Sequence, residues 1–408
     1  MMKEGWEMKK LVDVCIVERG SSPRPIEKYQ TDSIDGVNWI KIGDTKGVHK
    51  YIYTTKEKIT KEGAEKSRYV KEGDFILSNS MSFGKPFIMK TDGYIHDGWF
   101  VLRLHDFIDA EYFFNLLSSP FVNEQFHSLA SGSVVKNISG DLVKKVILPI
   151  PPLPEQQRIV TILDECFAAI DKAKVNAEQN LKNAKELFES YLQGVFEKKG
   201  DGWEERKLGE KDLIEIVDGD RGKNYPTQND FMESGFCLFM NTKNVRPDGF
   251  VFDTTSFISD VKDNSMGKGK LKRNDVVMTT RGTIGNIGVY DERVNFDNIR
   301  INSGMLIFRP NISKILPKYL FETFRSGLFK EQIKKYTTGA AQPQLPIKTL
   351  INFTIPIPKS ITEQQTIVRQ LDALRVETQK LEAVYQQKVA DLVELKKSIL
   401  ERAFRGEL

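Results

Sequence analysis

Two stretches decide the reading: LPEQQRIVTILD at residues 153–164 and ITEQQTIVRQLD at residues 361–372. They stand 208 residues apart, and SYLQGVF (residues 190–196) faces SILERAF (residues 398–404) at the same offset. Upstream, VKEGDFILSNS from Val70 resembles LKRNDVVMTTR from Leu271. GWFVLR from Gly98 resembles GMLIFR from Gly304, and GWEMKKL from Gly5 resembles GWEERKL from Gly202. The offset drifts upward from 197 as small loop insertions accumulate. A repeat of this length is a duplicated domain, since solenoid units run to roughly 20–50 residues.

Each repeated stretch opens a long run free of helix breakers. Residues 155–198 contain no proline and one glycine, Gly194. Apolar or small residues recur at Ile159, Leu163, Cys166, Ile170, Ala173, Ala177, Ala184, Phe188, Tyr191 and Val195. The second run repeats the pattern from Ile367 through Leu371, Leu374, Thr378, Leu381, Tyr385, Leu392, Lys396 and Ile399 to Ala403. Alternating steps of four and three are a coiled-coil seam. Asn180 and Lys388 share one heptad position, where a polar residue penalises slipped pairings and so could fix the register. Pro154 and Thr362 suit the two helix starts. At 1.5 Å per residue each helix would reach roughly 60–65 Å. The short linker from Lys198 forces the two helices, if they pair, to run antiparallel with a globular unit at each end, related by a pseudo-two-fold axis.

The globular segments mix short apolar strands (FILSNS, WFVLRL, VVMTT, MLIFR) with helical stretches such as AEYFFNLLSSPFVNEQF and PKYLFETFRSGLFKEQI, a mixed α/β pattern. The expected organisation is a first domain at 1–154, a helix at 155–199, a second domain at 200–361 and a second helix at 362–408.

Composition excludes several classes. A chain of 408 residues exceeds one typical core. No apolar run approaches the roughly 18 residues of a membrane span. The opening MMKEGWEMKK is polar, unlike a signal peptide. Three scattered cysteines suit a reducing cytoplasm. No phosphate loop is present, GKGK at Gly267 lacking the spacing, and no methyltransferase Pro-Pro-aromatic tetrad occurs. The four histidines show no metal spacing. His96–Asp97 is an adjacent pair, not a triad. The formal net charge of +4 does not by itself mark a nucleic-acid binder, so any DNA-binding face must be local.

Gly-rich loops supply candidates for such a face. In the second half they hold Arg221, Lys223 and Asn224; Lys243; Arg281, Thr283 and Asn286; and Gln342 and Gln344. In the first half they hold Arg24 and Lys28; Lys46; Ser80, Ser82 and Lys85; and Ser133, Lys136 and Asn137. Arg, Lys, Asn and Gln can pair with base edges in a major groove, while Ser, Thr, Lys and backbone amides in Gly-rich turns suit phosphates. Lys46, Lys85 and Lys243 are assigned to phosphates. Any one such loop is more often an ordinary turn; the functional case rests on their recurrence in equivalent places with different side chains.

The whole chain resembles the DNA-specificity subunits of Type I restriction–modification enzymes. The resemblance is carried by PIPPLPEQQRIVTILD from Pro149, PIPKSITEQQTIVRQLD from Pro356, RGTIGNIG from Arg281 and TGAAQPQL from Thr338, and by the tandem layout. It implies two target-recognition domains that each read half of an asymmetric, split DNA site, and a helical spacer that docks two methyltransferase subunits. Those partners would use S-adenosylmethionine to methylate adenine. Restriction subunits using ATP and Mg would join a full complex. This chain would carry no cofactor or metal and be non-catalytic. The Arg-Gly-x-x-Gly pattern is complete only at residues 281–285; Ser80 stands at the arginine position in the first half. Other classes consistent with the residues are a coiled-coil adaptor and a stand-alone DNA-binding protein.

Overall fold

The computed structural model describes residues 3–79, 84–130, 139–337 and 343–408. The chain divides into two compact units. Unit 1 is Met1–Glu178 with Gln386–Leu408; unit 2 is Gln179–Tyr385. Each holds one α/β domain and part of both long helices, Leu153–Lys198 and Ile361–Phe404.

Unit 1 builds its main sheet from Cys15–Arg19, Trp99–Leu104, Phe75–Ser78, Pro86–Met89 and Tyr51–Ile52, in that spatial order. A second sheet orders Glu57–Ile59, Val37–Ile40, Gly93–Ile95 and Arg68–Val70, with Val37–Ile40 and Gly93–Ile95 parallel. The strands FILS and PFIM are buried at every position because helices Ala110–Leu117 and Pro120–Ala130 cover one face and the second sheet's core the other. Continuous apolar runs are what a sheet covered on both faces requires.

Unit 2 repeats the plan. Ile214–Asp218, Met305–Pro310, Val276–Thr279 and Ile287–Val289 form the main sheet. Phe257–Ile258, Cys237–Met240 and Ile299–Ile301 form the second, with Cys237–Met240 and Ile299–Ile301 parallel. The repetition extends to single hydrogen bonds. Tyr112 donates its hydroxyl to Pro149 O at 2.8 Å, and Tyr319 does so to Pro356 O at 2.8 Å. Gln125 pairs with both backbone groups of Ile147, and Gln332 with both of Thr354. Arg103 holds Asp74 and Glu18; Arg309 holds Asp275 and Glu215.

The doubled EQQ motif has a mechanical meaning. Gln156 is buried; its Oε1 accepts from Asp109 N at 2.8 Å, and its Nε2 donates to Phe107 O and Pro151 O at 3.0 and 2.9 Å. Gln364 accepts from Leu316 N at 2.9 Å and donates to Lys314 O and Pro358 O at 2.9 and 3.3 Å. Each glutamine therefore pins the first turn of a long helix to the backbone of its own domain.

Within each unit the long helices run antiparallel. In unit 1, Arg158 reaches Leu408 O and Lys396 reaches Asp171 at 3.1 Å. In unit 2, Tyr191 meets Gln370 at 3.3 Å and Arg375 lies over the Phe188 ring at 4.8 Å. The seam is buried at Ile159, Leu163, Ile170, Ala177, Ala184 and Phe188, but the next buried residues are Leu192 and Phe196, where Tyr191 and Val195 were expected. Steps of four rotate the buried stripe by about 40° each, turning it away from the partner helix. There Phe196 packs on Trp203 and Tyr319 of unit 2's domain. Asn180 and Lys388 are both exposed, so neither acts as a buried register pin. Leu381, expected on the seam, is 41% exposed.

Among the described residues no helix is long and apolar enough to cross a membrane.

Candidate nucleic-acid interface

In unit 2 the strands Val276–Thr279 and Ile287–Val289 are joined by a loop held from several sides. Gly285 N donates to Thr279 O, Asn286 N to the Thr279 hydroxyl, and Thr280 N to Gly304 O. Leu345 N donates to Thr280 O, and Arg281 forms an antiparallel bridge with Gln344. Gly282 and Gly285 take φ of +71° and +86°, the left-handed region where a side chain would be strained. Arg281, Thr283 and Gln344 are left exposed on this braced platform, the first and last side by side.

Asn286 does not share that exposure. It is buried, and its amide donates to Val245 O at 2.9 Å. The side chain expected to meet DNA instead ties the loop to the second sheet, because the loop's return leg dives into the interior.

The turn at residues 302–304 gathers the other loops. A Cβ on Gly304 would meet Thr242 Cγ2 at 3.0 Å and Arg281 Cβ at 3.8 Å, so both loops approach this turn closely and glycine leaves the Thr242 methyl undisplaced. Ser303 O accepts from Arg221 at 3.2 Å, while Arg221 also pairs with Asp218 at 3.3 Å. Exposed Lys243 follows Thr242 in the short helical turn Thr242–Asn244. Asn224 donates to Ser265 O at 2.7 Å. Asp220 accepts from the amides of Gly222, Gly267 and Lys268, bonds that hold its carboxyl below the usual range and clamp the loop bearing exposed Lys223. Arg221, Lys243, Arg281 and Gln344, scattered over more than a hundred residues of sequence, thus converge around one turn.

Unit 1 has the equivalent turn at residues 96–98. Gly98 N donates to His96 Nδ1 at 2.8 Å, as Gly304 N does to Asn302 Oδ1 at 2.9 Å. Burial holds the His96 imidazole below its usual pKa, favouring the neutral form that accepts this bond. Asp97 gathers Ser22 at 2.7 Å and Arg24 at 3.5 Å, and Arg19 donates to its carbonyl. The Ser22 hydroxyl is the chief cause that lowers the Asp97 pKa. Beside Arg24 opens a cavity of about 700 Å³ whose wall includes buried Trp39 and the partly exposed Lys41 and His96. Gly84 N and Lys85 N are held by Ser78 as their counterparts are by Thr279. Lys85 is exposed, its ammonium 3.3 Å from Val48 O. Lys28 and Lys46 are exposed on the short turns Ile26–Lys28 and Ile42–Thr45 and the residue following. Ser80, Ser82, Ser133, Lys136, Asn137 and Gln342 lie outside the described residues.

Sequence reasoning passed over the two turns themselves, HDG and NSG. The match of GWFVLR with GMLIFR begins on their glycines and was the signal that aligned them. Among the described residues no group of His, Cys, Asp and Glu could hold a metal.

The sequence model of the Type I restriction modification DNA specificity domain matches this chain twice, over residues 3–182 and 200–389. The chain is 26% identical to the Type I restriction enzyme EcoBI specificity subunit of Escherichia coli, across 74% of its own length and 66% of that subunit's. It is 23% identical to the MjaIX specificity subunit of Methanocaldococcus jannaschii, across 86% and 83%. A chain from a structural study of complex assembly and conformational transition of the type I R-M system superposes over 100% of both chains with a TM-score of 0.79 at 21% identity. The crystal structure of an HsdS subunit from Thermoanaerobacter tengcongensis does so over 100% of this chain and 98% of its own, at 0.67 and 22%. These structural likenesses bear on the fold.

Proposed function

We propose, because this chain belongs to the Type I restriction–modification DNA specificity family, that it binds an asymmetric, two-part DNA sequence and positions methyltransferase subunits on it. It is a non-catalytic recognition subunit. The observation that carries the reading is the gathering of Arg221, Lys243, Arg281 and Gln344 around the turn at 302–304, with Arg24 at the equivalent turn of unit 1. One scaffold presenting different side chains in its two copies suits two different half-sites. Arg281 and Gln344 carry the donor geometry for base edges. Thr283, Lys28, Lys46, Lys85, Lys223 and Lys243 suit phosphates.

Methyl transfer from S-adenosylmethionine, and any ATP-driven cleavage, would belong to partner chains that grip the long helices. The cytoplasm, where such DNA lies, is the expected location. The deciding experiment maps methylated adenines in DNA from cells that express the methyltransferase partner with and without this chain. The expected result is a bipartite motif with an unspecified spacer that appears only with the chain and relaxes at one position in Arg281→Ala. Methylation that is unchanged by the chain would end the proposal.

A further inference from the structure

Unit 1 contains a cleft of about 480 Å³ between its domain and its own segments of the two long helices. Its wall is apolar at Phe114, Phe167, Ile170 and Leu392. Lys85, Lys174, Lys396 and Lys397 also line it, against a single carboxylate, Asp171, which is already paired with Lys396 at 3.1 Å. Lys174 and Lys397 reach Glu178 at 3.9 Å and Glu394 at 2.7 Å along their own helices, but neither glutamate lines the cleft. The lining therefore carries an excess of positive charge over an apolar floor. Its volume falls within the roughly 300–1,000 Å³ typical of small-molecule sites.

The duplication supplies an internal control. Ser118, Phe167 and Lys396 correspond to Arg325, Arg375 and Phe188 in unit 2. There the guanidinium of Arg325 lies 5.3 Å from the Phe188 ring and 5.6 Å from Phe321, and it binds Asp248 at 2.7 Å and Glu189 at 3.6 Å. Arg375 covers Phe188 from 4.8 Å and pairs with buried Glu322. Unit 2 fills this space with its own cations, aromatic ring and carboxylates. Unit 1 has a serine where the plugging arginine would be, and the space stays open.

We propose that the unit 1 cleft is a binding site for a small organic anion with an apolar, aromatic-sized body. The body would rest on Phe114, Phe167 and Ile170, and the anionic group would meet Lys174 and Lys397. Arg325 in unit 2 would be the built-in substitute for such a ligand.

The test uses the full-length chain and the fluorescent probe 1-anilinonaphthalene-8-sulfonate, with N-phenyl-1-naphthylamine as the same ring system without the sulfonate. One saturable sulfonate site per chain is expected, with the neutral probe about tenfold weaker, the loss of one charge-assisted contact. Ser118→Arg copies the unit 2 plug and weakens both probes. The double variant Lys174→Gln with Lys397→Gln weakens only the sulfonate probe. It also keeps the test decisive if the arginine variant fails to fold by circular dichroism. A fivefold or greater weakening of the sulfonate probe in either folded variant carries the proposal. Smaller effects in the folded variants, or several equivalent weak sites, overturn it.

Discussion

Replacing Gln156 by leucine tests whether the EQQ motif is the joint between domain and helix. The side chain is buried and makes three bonds to backbone groups: Asp109 N at 2.8 Å, Phe107 O at 3.0 Å and Pro151 O at 2.9 Å. Leucine conserves much of the volume but leaves all three groups without this partner. The bond to Pro151 is fully buried; the other two are partly open to water. Losing a buried partner costs about 1–3 kcal/mol, and partly exposed groups lose less because water replaces the contact. Together the loss is about 3 kcal/mol, reduced somewhat by the apolar gain of leucine. Trp6, Trp39 and Trp99 lie in unit 1 and Trp203 in unit 2, so urea unfolding followed by tryptophan fluorescence in a Trp203→Phe background reads unit 1 alone, and the difference from the parent chain reads Trp203. Gln156→Leu should advance the unit 1 transition and leave that of Trp203 nearly in place. Gln364→Leu should do the reverse, since Glu363 beside it holds the Trp203 indole at 2.7 Å. A unit 1 shift below about 0.5 kcal/mol, the size of an ordinary exposed substitution, would refute the joint.

Arg281→Ala is expected to lose about 1–3 kcal/mol of discrimination at one base position, whereas Asn286→Ala should lower unit 2 stability by a similar amount and weaken all sequences alike; binding to a panel of single-base variants separates the two. Lys223→Gln should reduce the slope of log affinity against log salt by about 0.9, one phosphate contact, with base preference unchanged. Glu155, bonded by Arg158 at 2.6 Å and then Lys3 at 2.9 Å, has its pKa lowered to about 2. A lowered carboxyl pKa contributes stability that is full above the unfolded value of about 4.5 and disappears as pH falls toward 2. The pair is partly solvated, so about 1 kcal/mol should be lost over that window in the parent and not in Glu155→Gln, read by urea midpoints at a series of pH values.

Much of this molecule is legible without coordinates. The doubled helix start, the long helices and the mixed α/β domains follow from local periodicity and self-similarity, and their antiparallel course follows from the short linker at Lys198. These properties depend on spacing along the chain, which sequence records directly. Tertiary structure decided what depends on which distant groups meet. Arg281 and Asn286 are five residues apart in one polar loop, yet one is exposed and the other buried against Val245, and no periodicity separates them. Gln156 is one polar residue among many on its helix until Asp109, Phe107 and Pro151 close around it. The helix seam shifts at Leu192 and Phe196 because a domain, rather than the other helix, offers the larger apolar surface there. Repeats and periods are one-dimensional facts. Burial and convergence are sums over three-dimensional neighbours, and folding alone supplies them.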